Sequence, residues 1–315
     1  MVDLILLENE MRLFVLPLLI GCQSGIIDSG PDDKNTDETG QKEDTGEETD
    51  PPPWPSSFSD RGPSDVSTKT GTSPLSTGCD MKWTSYIPAK KASSTIVMLA
   101  HGFSRGQEQM AGWAEHWASW GFTVFTPDLC HASLWDTDHD QNGKDLEAFA
   151  TFIGEGAPIA YVGQSAGGLA ALLAASTDPN AQLMLGLDPV DNDNSGANAA
   201  TSTNIPIAAL VGISGQCNSN QNGASMMQKD PGSRVFEVTD ADHCDFESPT
   251  NALCTSFCSN RDATRSDEDI QTVIRTLSTA WIAWHSTLEP QASRWWDTED
   301  DVLLPYLNAG DVQPL

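Results

Sequence analysis

Gly163-Gln164-Ser165-Ala166-Gly167 follows an apolar run at 159–162 and leads into Gly168-Leu169-Ala170, so a serine flanked by small residues stands where a strand turns into a helix. Such a turn forces the serine backbone into a strained conformation that only small neighbours permit. It lifts the hydroxyl above the sheet edge and aims the Ala166 amide at a reacting carbonyl. The chemistry this suggests is nucleophilic attack by Ser165 on an acyl group.

A serine hydroxyl needs a base to take its proton, and the base needs a carboxylate to orient it. Of the six histidines, His101, His116, His131 and His139 precede Ser165, and His285 sits in an amphipathic segment beside Trp281 and Trp284. In enzymes that carry the nucleophile in a Gly-x-Ser-x-Gly turn after a strand, the acid and then the base follow it along the chain; on that order the base is His243, in the polar loop Thr239-Asp240-Ala241-Asp242-His243-Cys244. The loop after Val211 has no carboxylate until Asp230, whereas the preceding apolar run ends in Leu187-Asp188-Pro189. Asp188 is therefore the expected acid, with Asp191 and Asp193 as fallbacks. Leu99-Ala100-His101-Gly102-Phe103 lies where a second amide donor is needed, so the Phe103 and Ala166 N–H groups are the expected oxyanion donors and His101 a scaffold residue.

The elements that must position these groups alternate along the chain. Apolar or β-branched runs at 94–100, 122–127, 159–163, 183–187, 206–211 and 234–238 are separated by helical patterns at 107–120, 144–153 and 167–176, with a long amphipathic segment at 268–288. This alternation predicts one α/β domain with a mostly parallel sheet covered on both faces and no large lid domain. Neither GxGxxG nor GxxxxGK[ST] occurs, so the phosphate loop of a nucleotide-binding version is missing.

His101-Gly102-Phe103, Gly163 to Gly168, Leu187-Asp188-Pro189-Val190-Asp191 and His243-Cys244-Asp245 resemble the chlorophyllase and platelet-activating-factor acetylhydrolase branch of the α/β-hydrolases, with polyester hydrolases and dienelactone-hydrolase-like esterases as near relatives. The resemblance covers about half of the chain. It implies the α/β-hydrolase fold and hydrolysis of carboxylic esters without a cofactor. In the first two groups the acid occupies an LDP- or VDP-like strand end, as Asp188 does. In polyester hydrolases it comes one strand later, where this chain has none. A polyester- or chlorophyll-like ester is the alternative substrate, and a non-catalytic surface binder on the same fold is the alternative class.

Ahead of this domain the composition changes twice. Residues 1–22 read as a lipoprotein-type signal: Arg12, an apolar run at 13–20, then Leu19-Ile20-Gly21-Cys22, in which Cys22 would carry the lipid, with Met11 a more natural start than Met1. Residues 23–76, rich in Asp, Glu, Gly, Thr, Ser and Pro, are expected to be a disordered tether, and the catalytic domain to span 77–315. The expectation is an exported monomer, lipid-anchored to a bacterial membrane or cell surface.

The six cysteines after Cys22 suggest up to three disulfides, some of them stiffening the His243 loop. A zinc site of His243, Cys244, Cys254 and Cys258 has no standard spacing and would take the base from Ser165. The acidic loop 136–145 begins like a calcium loop, yet its twelfth position counted from Asp138 is Phe149, so the loop is read as a helix cap. Trp113, Trp117 and Trp120 share a helical face and should pack on the sheet. Trp295 and Trp296 either close the core or meet substrate.

With 45 Asp+Glu against 16 Lys+Arg the net charge is −29, which removes nucleic-acid backbones and polybasic membrane docking as functions. Residues 23–60 carry a net of −9 and residues 76–315, with 30 acids and 11 bases, a net of −19. The domain itself is acidic, which disfavours anionic substrates and leaves neutral or lipophilic esters.

Overall fold

The computed structural model describes residues 58–260 and 262–315. Cys22, the expected signal segment and the expected tether up to residue 57 lie outside them.

Nine strands form one sheet in the order β1 (Val66–Pro74), β2 (Asp80–Pro88), β4 (Thr123–Pro127), β3 (Ile96–Ala100), β7 (Ile159–Gln164), β8 (Ala181–Leu187), β9 (Ile207–Val211), β10 (Arg234–Val238) and β11 (Val312–Pro314). The pairings from β4 through β10 are parallel, and those at both margins are antiparallel. A two-stranded hairpin, β5 (Ala132–Ser133) and β6 (Asp136–Thr137), stands apart from the sheet. The central strands are buried along nearly their whole length, as continuous Val/Ile/Leu/Ala runs covered on both faces must be.

Helices cover both faces. The first core layer holds α1 (Ala111–Ser119) and α7 (Asp267–His285), the second α2 (His139–Gly154), α3 (Ala166–Ala175), α4 (Ser195–Ala200) and α5 (Asn222–Met227). Two further short helices are α6 (Ala252–Cys258) and α8 (Leu304–Ala309). Trp113 and Trp117 are buried on α1, while Trp120 at its end is half-buried. Trp295 and Trp296 close the core: the Trp296 indole N–H donates to the Leu277 carbonyl, and its ring lies 4.8 Å from that of Trp281.

All six expected strands are present, but the domain begins earlier than residue 77. Residues 66–74, placed in the disordered tether by composition, form edge strand β1, paired with β2 along its whole length. Its sequence, VSTKTGTSP, has no alternating apolar face because most of the strand is exposed, so the period-two signal that marks a half-buried strand is missing. The helix in the acidic loop also starts earlier, at His139, with the Asp138 carboxylate accepting the Gln141 N–H at 2.9 Å as a helix cap.

Three disulfides join Cys79 to Cys130, Cys217 to Cys258 and Cys244 to Cys254, the chemistry of a chain that folds in an oxidising compartment. Among the described residues no helix is long and apolar enough to cross a membrane.

Candidate active site

The direction of the chain reverses between β3 and β7: β4 lies on one side of β3, and β7, β8, β9 and β10 follow on the other. In an open parallel sheet, that switch point leaves a crevice beyond the carboxyl ends of the strands. Phe103 follows β3, Ser165 and Ala166 follow β7, Asp188 follows β8 and His243 lies beyond β10, so the expected triad and oxyanion residues sit at this one edge.

Ser165 occupies the turn between β7 and α3 with φ 54° and ψ −126°, a backbone conformation that a residue with a side chain rarely adopts. The turn is held from three sides. Ser165 N–H donates to the Leu187 carbonyl at 3.1 Å, and its own carbonyl accepts from the Gly168 and Val190 amides at 2.9 and 3.1 Å. Small neighbours are needed because a Cβ on Gly163 would stand 2.1 Å from the Gly167 carbonyl oxygen, and one on Gly167 would stand 2.3 Å from that of His101. The Ala166 N–H, first in α3, and the Phe103 N–H make no backbone hydrogen bond among the described residues. Both residues line the same cavity as Ser165.

Asp188 is fully buried at the tip of β8, with φ 44°. One carboxylate oxygen takes the His243 Nδ1–H at 2.6 Å; the other takes the Gly212 N–H at 3.0 Å, and the Asn218 side-chain amide spans the two at 3.2 and 3.3 Å. Since a carboxylate only accepts, Nδ1 carries the proton of this bond, and Nε2 is the ring nitrogen turned toward the site. The fallback acid Asp191 is used elsewhere, accepting the Gly196 and Ala197 amides at the start of α4.

His243 Nε2 meets the Gln164 side-chain amide nitrogen at 3.2 Å, and no hydrogen bond between Ser165 and His243 is formed among the described residues. Gln164 is buried, and its Oε1 has no partner. Sequence reading passed over Gln164 because it is a variable position inside the Gly-x-Ser-x-Gly pattern. It also passed over Asn218, whose link to Asp188 joins residues 30 apart along the chain.

His101 and His285 have structural settings of their own, whereas His139 lines the same cavity as Ser165 with its buried Nδ1 unpartnered among the described residues. Buried His101 donates from Nδ1 to the Gly102 carbonyl at 2.8 Å and accepts the Leu129 N–H on Nε2 at 3.0 Å, a scaffold in which burial holds the ring neutral. His285 lies about 4 Å from the rings of Trp281 and Trp284, and burial lowers its pKa to about 4. Cys244, Cys254 and Cys258 approach one another closely enough to share a metal, but their sulfurs are taken by two disulfides.

The cavity in front of Ser165 measures about 610 Å³. Phe103, Leu134, Leu253 and Phe257 border it, and each is at least one-third exposed, with Phe257 at 79%. Two of these apolar residues ride on α6, a short helix pinned by Cys254 to the neighbour of His243 and by Cys258 to the loop after β9.

Neither a family model nor a curated protein sequence matches this chain.

Proposed function

We propose that this protein is a serine hydrolase of carboxylic esters built on the α/β-hydrolase fold. The observation that carries this reading is the 2.6 Å contact from His243 Nδ1 to buried Asp188, at the same cavity that holds Ser165 in its strained turn. In this mechanism Ser165 Oγ attacks the ester carbonyl while His243 Nε2 takes its proton. Asp188 holds the ring and balances the imidazolium charge, and the Phe103 and Ala166 amides stabilise the oxyanion. His243 then returns the proton to the leaving alcohol, and water releases the acyl group from Ser165 by the same steps in reverse roles. For the first transfer Ser165 Oγ must take the place of Gln164 on Nε2, a rotation of side chains that leaves both backbones in place. Hydrogen bonds of this kind commonly tighten only when substrate is bound.

Every polar contact needed for acyl transfer comes from protein groups, so the reading calls for no cofactor. The acidity of the domain and the apolar mouth of the cavity support neutral or lipophilic esters. The exposed Leu134, Leu253 and Phe257 at that mouth also favour a second reading, hydrolysis at the surface of a bulky or polymeric ester. Cys22 as a lipid anchor, with the acidic segment after it as a spacer, completes the proposal for an exported protein.

Replacing Ser165 by Ala should lower kcat on p-nitrophenyl butyrate by about 10³-fold or more while leaving the unfolding midpoint near that of the parent. An alkyl fluorophosphonate should phosphonylate Ser165 in the parent alone, with loss of fluoride, and add the mass of the phosphonyl group. Undiminished turnover by the variant would sink the mechanism. A parent that neither turns over the ester nor takes the label would instead favour a non-catalytic binder. Polyester film in the same assay separates the two substrate readings.

A further inference from the structure

Two clefts meet at His243. The first is the 610 Å³ cavity with Ser165, Phe103 and Ala166 on its wall and Leu134, Leu169, Val190 and Leu253 around it. The second, about 440 Å³, shares His243, Phe257, Cys217 and Cys258 with the first and has none of the residues that would bind the reacting carbonyl. The Cys217–Cys258 bridge and Phe257 form the ridge between them. Their linings differ in kind. The second cleft adds Ser214, Gln216, Asn218, Ser259, Asn260 and Asp262, polar side chains that the first does not have.

Building on the esterase reading, we propose that the substrate is an amphiphilic ester whose apolar acyl group fills the first cavity and whose alcohol half, a neutral polyol of glycerol or sugar type, lies in the second cleft. Proton bookkeeping assigns the halves. Attack forms the bond from Ser165 Oγ to the carbonyl carbon, with the Oγ proton moving to His243 Nε2. Collapse breaks the bond to the alcohol oxygen as that same proton passes from Nε2 to it. Water then attacks the acyl carbon, gives its proton to Nε2, and the bond to Oγ breaks as Ser165 recovers a proton. The alcohol oxygen must therefore be within reach of Nε2, which puts the rest of the alcohol on the His243 side, while the carbonyl stays with the Phe103 and Ala166 amides.

The lining of the second cleft names the chemistry of that alcohol. The hydroxyls of Ser214 and Ser259 and the side-chain amide of Gln216 make no hydrogen bond among the described residues, so they offer donors and acceptors to hydroxyl groups. Asp242 and Asp262 line the cleft, and their two carboxylates disfavour an anionic alcohol. An alkyl alcohol placed there would strip water from polar groups and pair with none of them.

The test compares 1-hexanoylglycerol with ethyl hexanoate, which differ only in the alcohol. The parent should prefer the glycerol ester by about tenfold or more in kcat/KM, and the ratio should fall toward unity in a Ser214→Ala/Gln216→Ala variant. Equal kcat/KM values in the parent, a preference that survives in the double variant, or a stronger preference for acetylcholine-type cationic esters would each overturn the proposal. A second arm needs no turnover: calorimetry on the Ser165→Ala variant should give tighter binding of 1-O-hexylglycerol than of ethyl hexyl ether. If the parent fails to hydrolyse p-nitrophenyl hexanoate, the esterase reading falls, and this binding arm still decides for or against the polyol cleft.

Discussion

Arg105 and Glu247 form a two-pronged ion pair, with Nε to Oε1 and a terminal guanidinium nitrogen to Oε2 both at 2.6 Å. It ties the loop after β3, which carries Phe103, to the loop after β10, which carries His243. Glu247 is 1% exposed, and its Oε2 also accepts the Thr250 hydroxyl. The pair clamps together the segments that supply the proposed oxyanion amide and the proposed base.

Breaking one side of such a pair strands a buried charge. Arg105→Met should therefore destabilise the domain by about 3–5 kcal/mol, and Arg105→Met/Glu247→Met should recover most of that loss. Urea unfolding of the two variants reads the difference. A single variant as stable as the parent would show that the charges are solvated rather than paired.

Gln164 touches the nitrogen of His243 that must take the serine proton. A buried carboxylate in its place stabilises the imidazolium, so Gln164→Glu should move the acid limb of the kcat/KM profile to higher pH by about one unit or more. Gln164→Leu, of similar size, should leave the limb where it is. An unmoved limb in the Glu variant would mean that Gln164 turns away from His243 when substrate binds.

The two disulfides around α6 should separate stability from catalysis. Cys217 and Cys258 are 41 residues apart, so their bridge should contribute about 4 kcal/mol, against about 3 kcal/mol for Cys244 and Cys254, which are 10 apart. Cys244 adjoins His243, so Cys244→Ser/Cys254→Ser should lower kcat more than Cys217→Ser/Cys258→Ser while lowering Tm less. The opposite ranking in both measurements would contradict this placement.

Stability should respond to pH in two opposed ways. His116 is buried against the Phe58 carbonyl and the Thr279 hydroxyl, and desolvation lowers its pKa to about 4. The unfolded chain binds this proton more readily, so stability falls as pH drops from about 6.5 towards 4. Burial raises the Asp245 carboxyl to about 7. Here the folded chain holds the proton more tightly, so stability falls as pH rises from about 4 to 7. Asp245→Asn keeps an oxygen to accept the Asp242 N–H and should raise Tm at pH 8 more than at pH 5. Equal changes at both values would exclude Asp245 as the source.

Much of this was legible in one dimension. Ser165 and its glycines are contiguous, and their spacing is dictated by a backbone approach that a single Cβ would block. The six inner strands announce themselves because burial on both faces demands uninterrupted apolar runs. The limits of the domain were not legible in the same way. β1 is solvated and so resembles a linker in composition, and its identity rests on nine residues of pairing with β2.

By itself, the sequence determined which residue types stand at which strand ends, and it offered Asp188, at a strand tip, and His243 as the expected acid and base. Only the tertiary structure decided that they meet at 2.6 Å, that Gln164 and Asn218 share their site, and which cysteine pairs with which. The physical reason is range. A turn or a strand is governed by neighbours a few residues away, whereas the partners of Asp188 lie 24 to 55 residues along the chain and are brought together by the sheet alone.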